Sequence, residues 1–483
     1  MQAFRLRLIN RQFTRSTSIV YQQHHHHPQH HHNQQHQRSM STTTSQIVLT
    51  PQTHGIVPFP GLTPASAAAT SAALTENHER NHIYFNNDGF HNHIAHYLLA
   101  IYSLGAPAPL IQSGYERESA YQRALFALPA PPAIDLADPA QWEKSLGKDE
   151  CYIPFLRYFS REIEIYGVED TLINQLFDGS PKAEDMLVRL FAGFLHPFIH
   201  IGYGLEFGLP AVVAEGLAMA AVEANWLGGL LIPAEVAARE AKDDTSATTL
   251  VTLLDEIRED VKLRDAPKWS DGNKIKGILQ RAPQEMLSYL SRYTVPVDKL
   301  QAKMAESINA AALFTAAAQR EDKEIRIDFY YMHSHNSSIF LPAYLSQPWL
   351  PDTAKARLLE WKSRHDLALY ASRRSPVLRV DDIRNYTAKE ASSATNPWLN
   401  IISRALKRED DGHVVKFIRA CMHGERICAQ YQDHEKEGFV VQGDMWIKIA
   451  QMCMDSVEEE GVQWARSVGF DEAWAKYGPR RKY

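Results

Sequence analysis

The chain has 483 residues, 45% hydrophobic and 22% charged, with a formal net charge of −6 at pH 7. This is ordinary globular composition with ample length for a large core, and the charge leaves no basic footprint for nucleic acid. Cys151, Cys421, Cys428 and Cys453 stand singly, without a CxxC pair, which argues against a disulfide scaffold or thiolate zinc site and fits a reducing compartment.

Residues 1–75 differ from the rest. They contain no Asp or Glu; the first acid is Glu76. Arg5, Arg7, Arg11 and Arg15 alternate with Phe4, Leu6, Leu8, Ile9 and Phe13, the composition of a mitochondrial presequence or of a short basic tail. A Gln/His tract follows, with its histidines between His24 and His36; such tracts bind metal weakly or are simply disordered polar sequence. Residues 41–75, rich in Ser, Thr, Pro and Ala, read as linker. The expected division is therefore an extension over 1–75 and a catalytic domain over 76–483. The expected location is cytoplasmic, with mitochondrial as the alternative if the extension is a targeting segment.

The domain opens on NNDGFHNHIAHYLLAIYSLG at 86–105, an apolar helical run carrying His91, His93 and His96. Asp88 is the expected N-cap and Gly105 the expected stop. At 100° per residue, His93 and His96 share a face and His91 points roughly the opposite way, so the helix offers one or two of these imidazoles to a site, not all. Helices are expected over 111–123, 142–146, 152–167, 170–177 and 183–195, with a Pro-rich turn at 128–139. HPFIHIGYGLEFGLP at 196–210 follows. His196 and His200 there are i, i+4, the spacing that lets two imidazoles meet one metal, and Pro197 suits a helix start. Glu206 is either a support for such a site or a satisfied structural carboxylate. GYGLEFG at 202–208 is not a dinucleotide loop, because it is GxGxxxG and opens no βαβ unit.

A further apolar helix runs to about 226. The apolar region 186–233 is interrupted by charges and prolines and reads as buried helices, not a membrane span. Segment 235–262 is amphipathic with a polar break at 242–249, and 264–275 is a loop. Helices are expected at 275–291, 297–319, 352–373, 396–407, 412–433 and 444–468. Only 325–332, IRIDFYYM, offers a strand. The fold class is mainly α: a large multi-helix single domain with few or no strands.

Two late clusters carry chemistry. FYYMHSHNSSIF at 329–340 holds His333 and His335, of which only one need face a common centre. DDGHVVKFIRACMHGER at 410–426 sets Lys416 among Val414, Val415, Phe417 and Ile418. A lysine is expensive to bury charged, so a buried one is paired or loses its proton, and a neutral lysine reacts with carbon dioxide to give an anionic carbamate. The alternative is an exposed Lys416 or one paired with Asp411 or Glu425. No GxSxG, HExxH or P-loop is present. The histidine-rich, thiol-poor, helix-borne inventory suits a redox or hydrolytic metal centre of imidazoles with a carboxylate-like ligand.

HIYFNNDGFHNHIAHYLLAIYSLGA, FLHPFIHIGYGLEF, MHSHNSSIF and DDGHVVKFIRA together resemble the questin oxidase-like family of fungal polyketide pathways. The resemblance covers most of residues 76–470. It implies oxygen-dependent cleavage of a polycyclic aromatic ketone such as a hydroxyanthraquinone, by Baeyer–Villiger-like oxygen insertion, with NADPH often invoked. It also implies non-haem iron (Fe2+) held by four histidines and a carbamylated lysine. Carried onto this chain, the lysine is Lys416, and the histidines are His196, His200, His333 and one of His93 and His96. His91 or His335 is the expected acid or base, and Tyr330, Tyr331, Trp361 and Tyr370 the expected aromatic pocket. The implied partners are an aromatic polyketide and O2, with no nucleic acid and no membrane. The alternatives are a metal-independent, NADPH-dependent monooxygenase and a non-catalytic accessory protein with the family fold.

Overall fold

The computed structural model describes residues 42–127, 134–241, 247–390, 396–459 and 461–480. The Arg-containing segment and the Gln/His tract lie outside these residues, as do parts of the expected Pro-rich turn and of the polar break at 242–249. Among the described residues the structure is helical with no β-strand; pairing is limited to the isolated bridges Asn81–Ala124, Tyr84–His91, Lys323–Pro479 and Asp328–Ala465.

The mainly α expectation holds, while several local expectations do not. Residues 42–75 are not all linker. Thr63 caps a helix over Pro64–Arg80, and Ile47, Leu49 and Val57 are buried ahead of it. Glu206 fixes this segment: one oxygen accepts the Ile56 amide at 2.9 Å and the Arg419 guanidinium, which makes Glu206 a structural carboxylate. The strand candidate at 325–332 instead ends in a helix, Phe329–Ser338, because the Asp328 side chain accepts the amides of Tyr330 and Tyr331 and starts a helical turn. The opening helix starts at Ile94, not after Asp88. Asn92 Oδ1 takes the Ile94 amide at 2.9 Å, while His91 is held in the bridge to Tyr84. Its far end is as expected, with Gly105 at φ +82 just beyond Leu104.

Helix Pro210–Val222 is apolar apart from Glu215 and buried from Ala211 to Val222, so it takes the middle of the body. It packs on Ala192–Phe207 and on Tyr152–Leu172. Gly204 and Gly216 let the first of these pairs approach closely, since a Cβ on either would meet the backbone of Val213 or Ile201 at 2.9 Å. No single described helix is long and apolar enough to cross a membrane; the apolar pair Pro181–Leu190 and Ala192–Phe207 is bent by 97°.

Four helices form a closed ring. Ile94–Ser103 packs on Ala192–Phe207 and on His413–Cys428, and Phe329–Ser338 packs on the same two. Each carries the histidines that meet here in or near its N-terminal half. The ring therefore gathers imidazoles toward the helix N-termini, where the peptide dipoles disfavour protonated rings and favour anions.

Candidate metal centre

The ring brings together His91, His93, His96, His196, His200, His333 and His413. His196 stacks on His91 with centroids 4.0 Å apart, and lies 4.9 Å from His93 and 5.0 Å from His333. His413 lies 4.8 Å from His93 and 5.2 Å from His333. His96 lies 5.0 Å from His200 and 5.8 Å from His93. All seven are buried.

Local backbone explains how His196 arrives there. Gly193, Phe194 and Leu195 adopt φ of 54°, 54° and 69°, a left-handed turn that breaks the expected 183–195 helix and restarts the chain at His196 with Pro197 behind it. Two of those residues carry side chains, at a cost of about 1–2 kcal/mol each. Gly193 is required for space as well, because a Cβ there would lie 2.9 Å from His91 Nε2 and 2.6 Å from Glu223 Oε1.

The outer nitrogens of four rings are anchored on acceptors. His93 Nδ1 lies 2.9 Å from Asp411 Oδ2, His413 Nδ1 donates to the other oxygen of Asp411, His196 Nδ1 lies 2.5 Å from the Gly193 carbonyl, and His333 Nδ1 lies 2.7 Å from the Phe329 carbonyl. Carboxylates and carbonyls only accept, so each Nδ1 carries the proton and each Nε2 is left with a lone pair. Burial keeps these rings neutral. His93 is pushed down to about 3, by burial and then by the nearby Lys416 charge. His196 and His333 are held well below the usual imidazole range, and His413 is lowered by burial despite Asp411 beside it.

The inner nitrogens of three of these rings, His93, His196 and His413, come together. His93 Nε2 and His196 Nε2 are 2.8 Å apart, and the donor atoms of His93, His196 and His413 all fall within 4.8 Å. Two lone pairs at that distance repel unless a cation accepts both; adjacent ligands on one ion at bonds of about 2.1 Å sit roughly 3 Å apart. His413 Nε2 has no hydrogen-bond partner among the described residues. The donor set thus fits a metal ion. His413 and Asp411 lie within a motif singled out in the sequence, yet neither stood out as a ligand or its support. The i, i+3 spacing of His413 and Lys416, behind an Asp–Gly helix start, was the readable signal.

Lys416 is buried, and its side chain makes no hydrogen bond or ion pair among the described residues. Burial lowers its pKa, against the opposing pull of Asp411, Asp410 and Glu118. Its charge is felt by His93, His96, His333 and His413, so it borders the same space.

The other expected site residues are placed differently. His200 has both nitrogens engaged, Nδ1 3.1 Å from His96 Nε2 and Nε2 2.7 Å from Glu215 Oε2. Glu215 also takes His78 Nδ1 at 2.7 Å. Burial alone would raise the Glu215 carboxyl, but these two histidines hold it down to about 2. His91 Nε2 lies 2.7 Å from Glu223 Oε1, which also accepts the Tyr84 hydroxyl at 2.9 Å. The structure does not bring His335 to the cluster: two residues from His333, it points to the far side of the helix, with Nε2 3.3 Å from Cys421 Sγ and its ring 4.6 Å from Phe417. Of the expected aromatic pocket, Tyr330 borders the cluster through Phe194, 4.8 Å away, but Tyr331, Trp361 and Tyr370 are fully buried in the core.

The Questin oxidase-like family model matches residues 90–421, which contain every ring of this cluster. Among curated proteins the chain is 35% identical to Baeyer-Villiger oxidase ptaJ of Pestalotiopsis fici over 89% of this chain and 98% of that one. It is 34% identical to Baeyer-Villiger monooxygenase dmxR6 of Cryptosporiopsis sp., again over 89% and 98%. It is also 34% identical to the Questin oxidase of Aspergillus fumigatus, over the same shares. By the extent of these matches the chain belongs to the questin oxidase-like family, and it is an oxidoreductase.

Proposed function

We propose that this protein is a non-haem iron oxygenase that opens a ring of a polycyclic aromatic ketone, a hydroxyanthraquinone-like polyketide, by Baeyer–Villiger-type oxygen insertion. The observation that carries this reading is the convergence of His93, His196 and His413 beside the partnerless Lys416. The relatives' names, Baeyer-Villiger oxidase and Questin oxidase, support the reaction class and the substrate class.

His93, His196, His333 and His413 would hold the metal through Nε2, with Lys416 as its carbamate providing an anionic oxygen. Bound iron(II) supplies an oxygen-activating centre that imidazole and carboxylate-like ligands suit. This set takes His93 over His96 and replaces His200, whose nitrogens serve His96 and Glu215. Asp411 receives both His93 and His413 and so fixes two rings at once. Burial disfavours the ammonium form of Lys416, so its amine keeps the lone pair that attacks carbon dioxide, forming the N–C bond and releasing a proton.

Phe194, Phe329 and Tyr330 offer partly exposed aromatic faces for a planar substrate against His333 and His413. His91 shares a proton with Glu223 while stacked on His196, and is the acid or base of this mechanism. His335 has no part in it. Inserting one oxygen atom and releasing the other as water consumes a pair of electrons and a pair of protons, supplied by NADPH together with a proton from solvent or by a dihydro form of the substrate.

The test is iron content and oxygen uptake with a hydroxyanthraquinone. Stoichiometric iron, loss of turnover on chelation and recovery with Fe2+ are the expected results. Full turnover by iron-free protein with NADPH would replace this reading with a metal-independent monooxygenase. No turnover under any condition favours an accessory role.

A further inference from the structure

The rim of the cluster carries a charge that no carboxylate among the described residues neutralises. Arg466 is exposed, and its guanidinium carbon sits 4.7 Å from the centre of the Phe329 ring. That ring is 4.8 Å from His333 and 5.3 Å from His413. Arg466 makes no hydrogen bond or ion pair among the described residues, although many other surface arginines, such as Arg292 and Arg404, are paired with carboxylates. Beside it the buried Arg373 lies 3.9 Å over the Tyr330 ring, and Phe329 and Tyr330 are neighbours at 5.6 Å. Two guanidiniums thus sit on two adjacent rings at the start of one helix.

The carboxylates nearby are already committed. Asp411 is shared by His93 and His413, Asp410 accepts the amides of Gly412 and Val414, and Asp328 accepts those of Tyr330, Tyr331 and Val468. None is turned to Arg466. A guanidinium stacked on an aromatic face keeps its N–H edges free, the geometry that takes an anionic oxygen in the plane.

We propose that Arg466 is a specificity-determining residue that recognises an anionic oxygen on the substrate, so that the protein selects aromatic ketones bearing a phenolate or a carboxylate over neutral ones. The inference rests on the proposed aromatic substrate and adds its charge. Phe329 presents the guanidinium, the flanking rings take the aromatic plane, and the anion sets which edge of the ring system meets the imidazoles.

The experiment is calorimetric titration of the iron-loaded protein with two probes of similar shape, anthraquinone-2-carboxylate and 2-(hydroxymethyl)anthraquinone. Wild type should favour the carboxylate by about tenfold or more, a preference that shrinks as salt is raised. Arg466→Gln should remove that preference while leaving the neutral probe's affinity unchanged, and Arg466→Lys should keep part of it. A pH series with 1,8-dihydroxyanthraquinone separates the two anion sources: tightening only as the phenol ionises marks phenolate recognition, while a preference for the carboxylate probe constant over the same range marks the carboxylate. Equal affinity for both probes overturns the role of Arg466 and leaves the aromatic substrate standing. Equal loss for both probes in Arg466→Gln overturns it too, in favour of simple packing on Phe329. No binding of either probe removes the aromatic substrate and this inference with it.

Discussion

The helix Phe329–Ser338 has two buried polar sides, and they are built on opposite rules. On one side His333 joins rings anchored outward, with lone pairs aimed at one another and Lys416 beside them lacking a partner. On the other side His335 meets Cys421, and Lys362, equally buried, is bonded to Asp366 and lies 3.2 Å from the Ser334 carbonyl. Burial lowers both lysines, but only Lys362 finds an anion. A buried polar group that closes on a neighbour contributes to the fold. A set that points at a common centre without closing implies something else in that centre.

Substitution can break this contrast. The largest effect should come from Lys416→Met, expected to lower turnover at least about a thousandfold and deplete iron, while stability moves by no more than about 1 kcal/mol, because an unpaired buried amine is removed. Denaturant titration beside an oxygen-uptake assay reads both. Lys362→Met should do the reverse. Stranding Asp366 costs about 3–5 kcal/mol, and the folded fraction should retain its iron. If the two variants behave alike, the two sides are not distinct.

Asp411→Asn sharpens the comparison. It removes the shared acceptor of His93 and His413, and iron affinity should fall by about 10–100-fold, read by competition with a chelator. A paired substitution comes next: His333→Ala should abolish turnover, whereas His335→Phe should change it by less than about threefold.

The smallest effect is on acid stability. Burial holds His335 and His423 at about 3, each aided by nearby positive groups, Lys362 for the first and Arg426 for the second. Their folded values are depressed below the unfolded value near 6.5. The unfolded chain therefore binds protons first, and the stability these neutral rings contribute is present above about 6.5 and lost as pH falls toward 3. His423→Phe should flatten part of that slope in denaturant titrations across this window, with turnover at neutral pH unchanged. An unaltered slope would mean that His423 takes up its proton over the same pH range folded as unfolded.

How much of this was legible differs by feature. Apolar periodicity announced the helices, and the break of the expected 275–291 helix into Lys274–Arg281 and Pro283–Leu290 follows from Pro283, which has no amide proton to offer. Spacing put His93 with His96 and His196 with His200 on shared helix faces, and the family resemblance, not spacing, joined these segments and His333 into one site. Which nitrogens face inward was not readable, because that depends on acceptors distant in sequence, such as Asp411 for His93 and Glu215 for His200. Nor was the left-handed turn at Gly193, Phe194 and Leu195 legible: neither Phe nor Leu favours that conformation, and tertiary packing imposes it. His413 was hidden by proximity to Lys416, the more conspicuous residue of its motif.

The central claim is that the imidazoles and Lys416 surround one metal ion. Its most direct test is an anomalous difference map at the iron edge, from crystals grown with Fe2+ and bicarbonate. The account predicts a single peak among Nε2 of His93, His196, His333 and His413, with continuous density joining it to an extended Lys416 side chain. A peak at His200 and Glu215 instead, or no peak with a bare Lys416 amine, would contradict it.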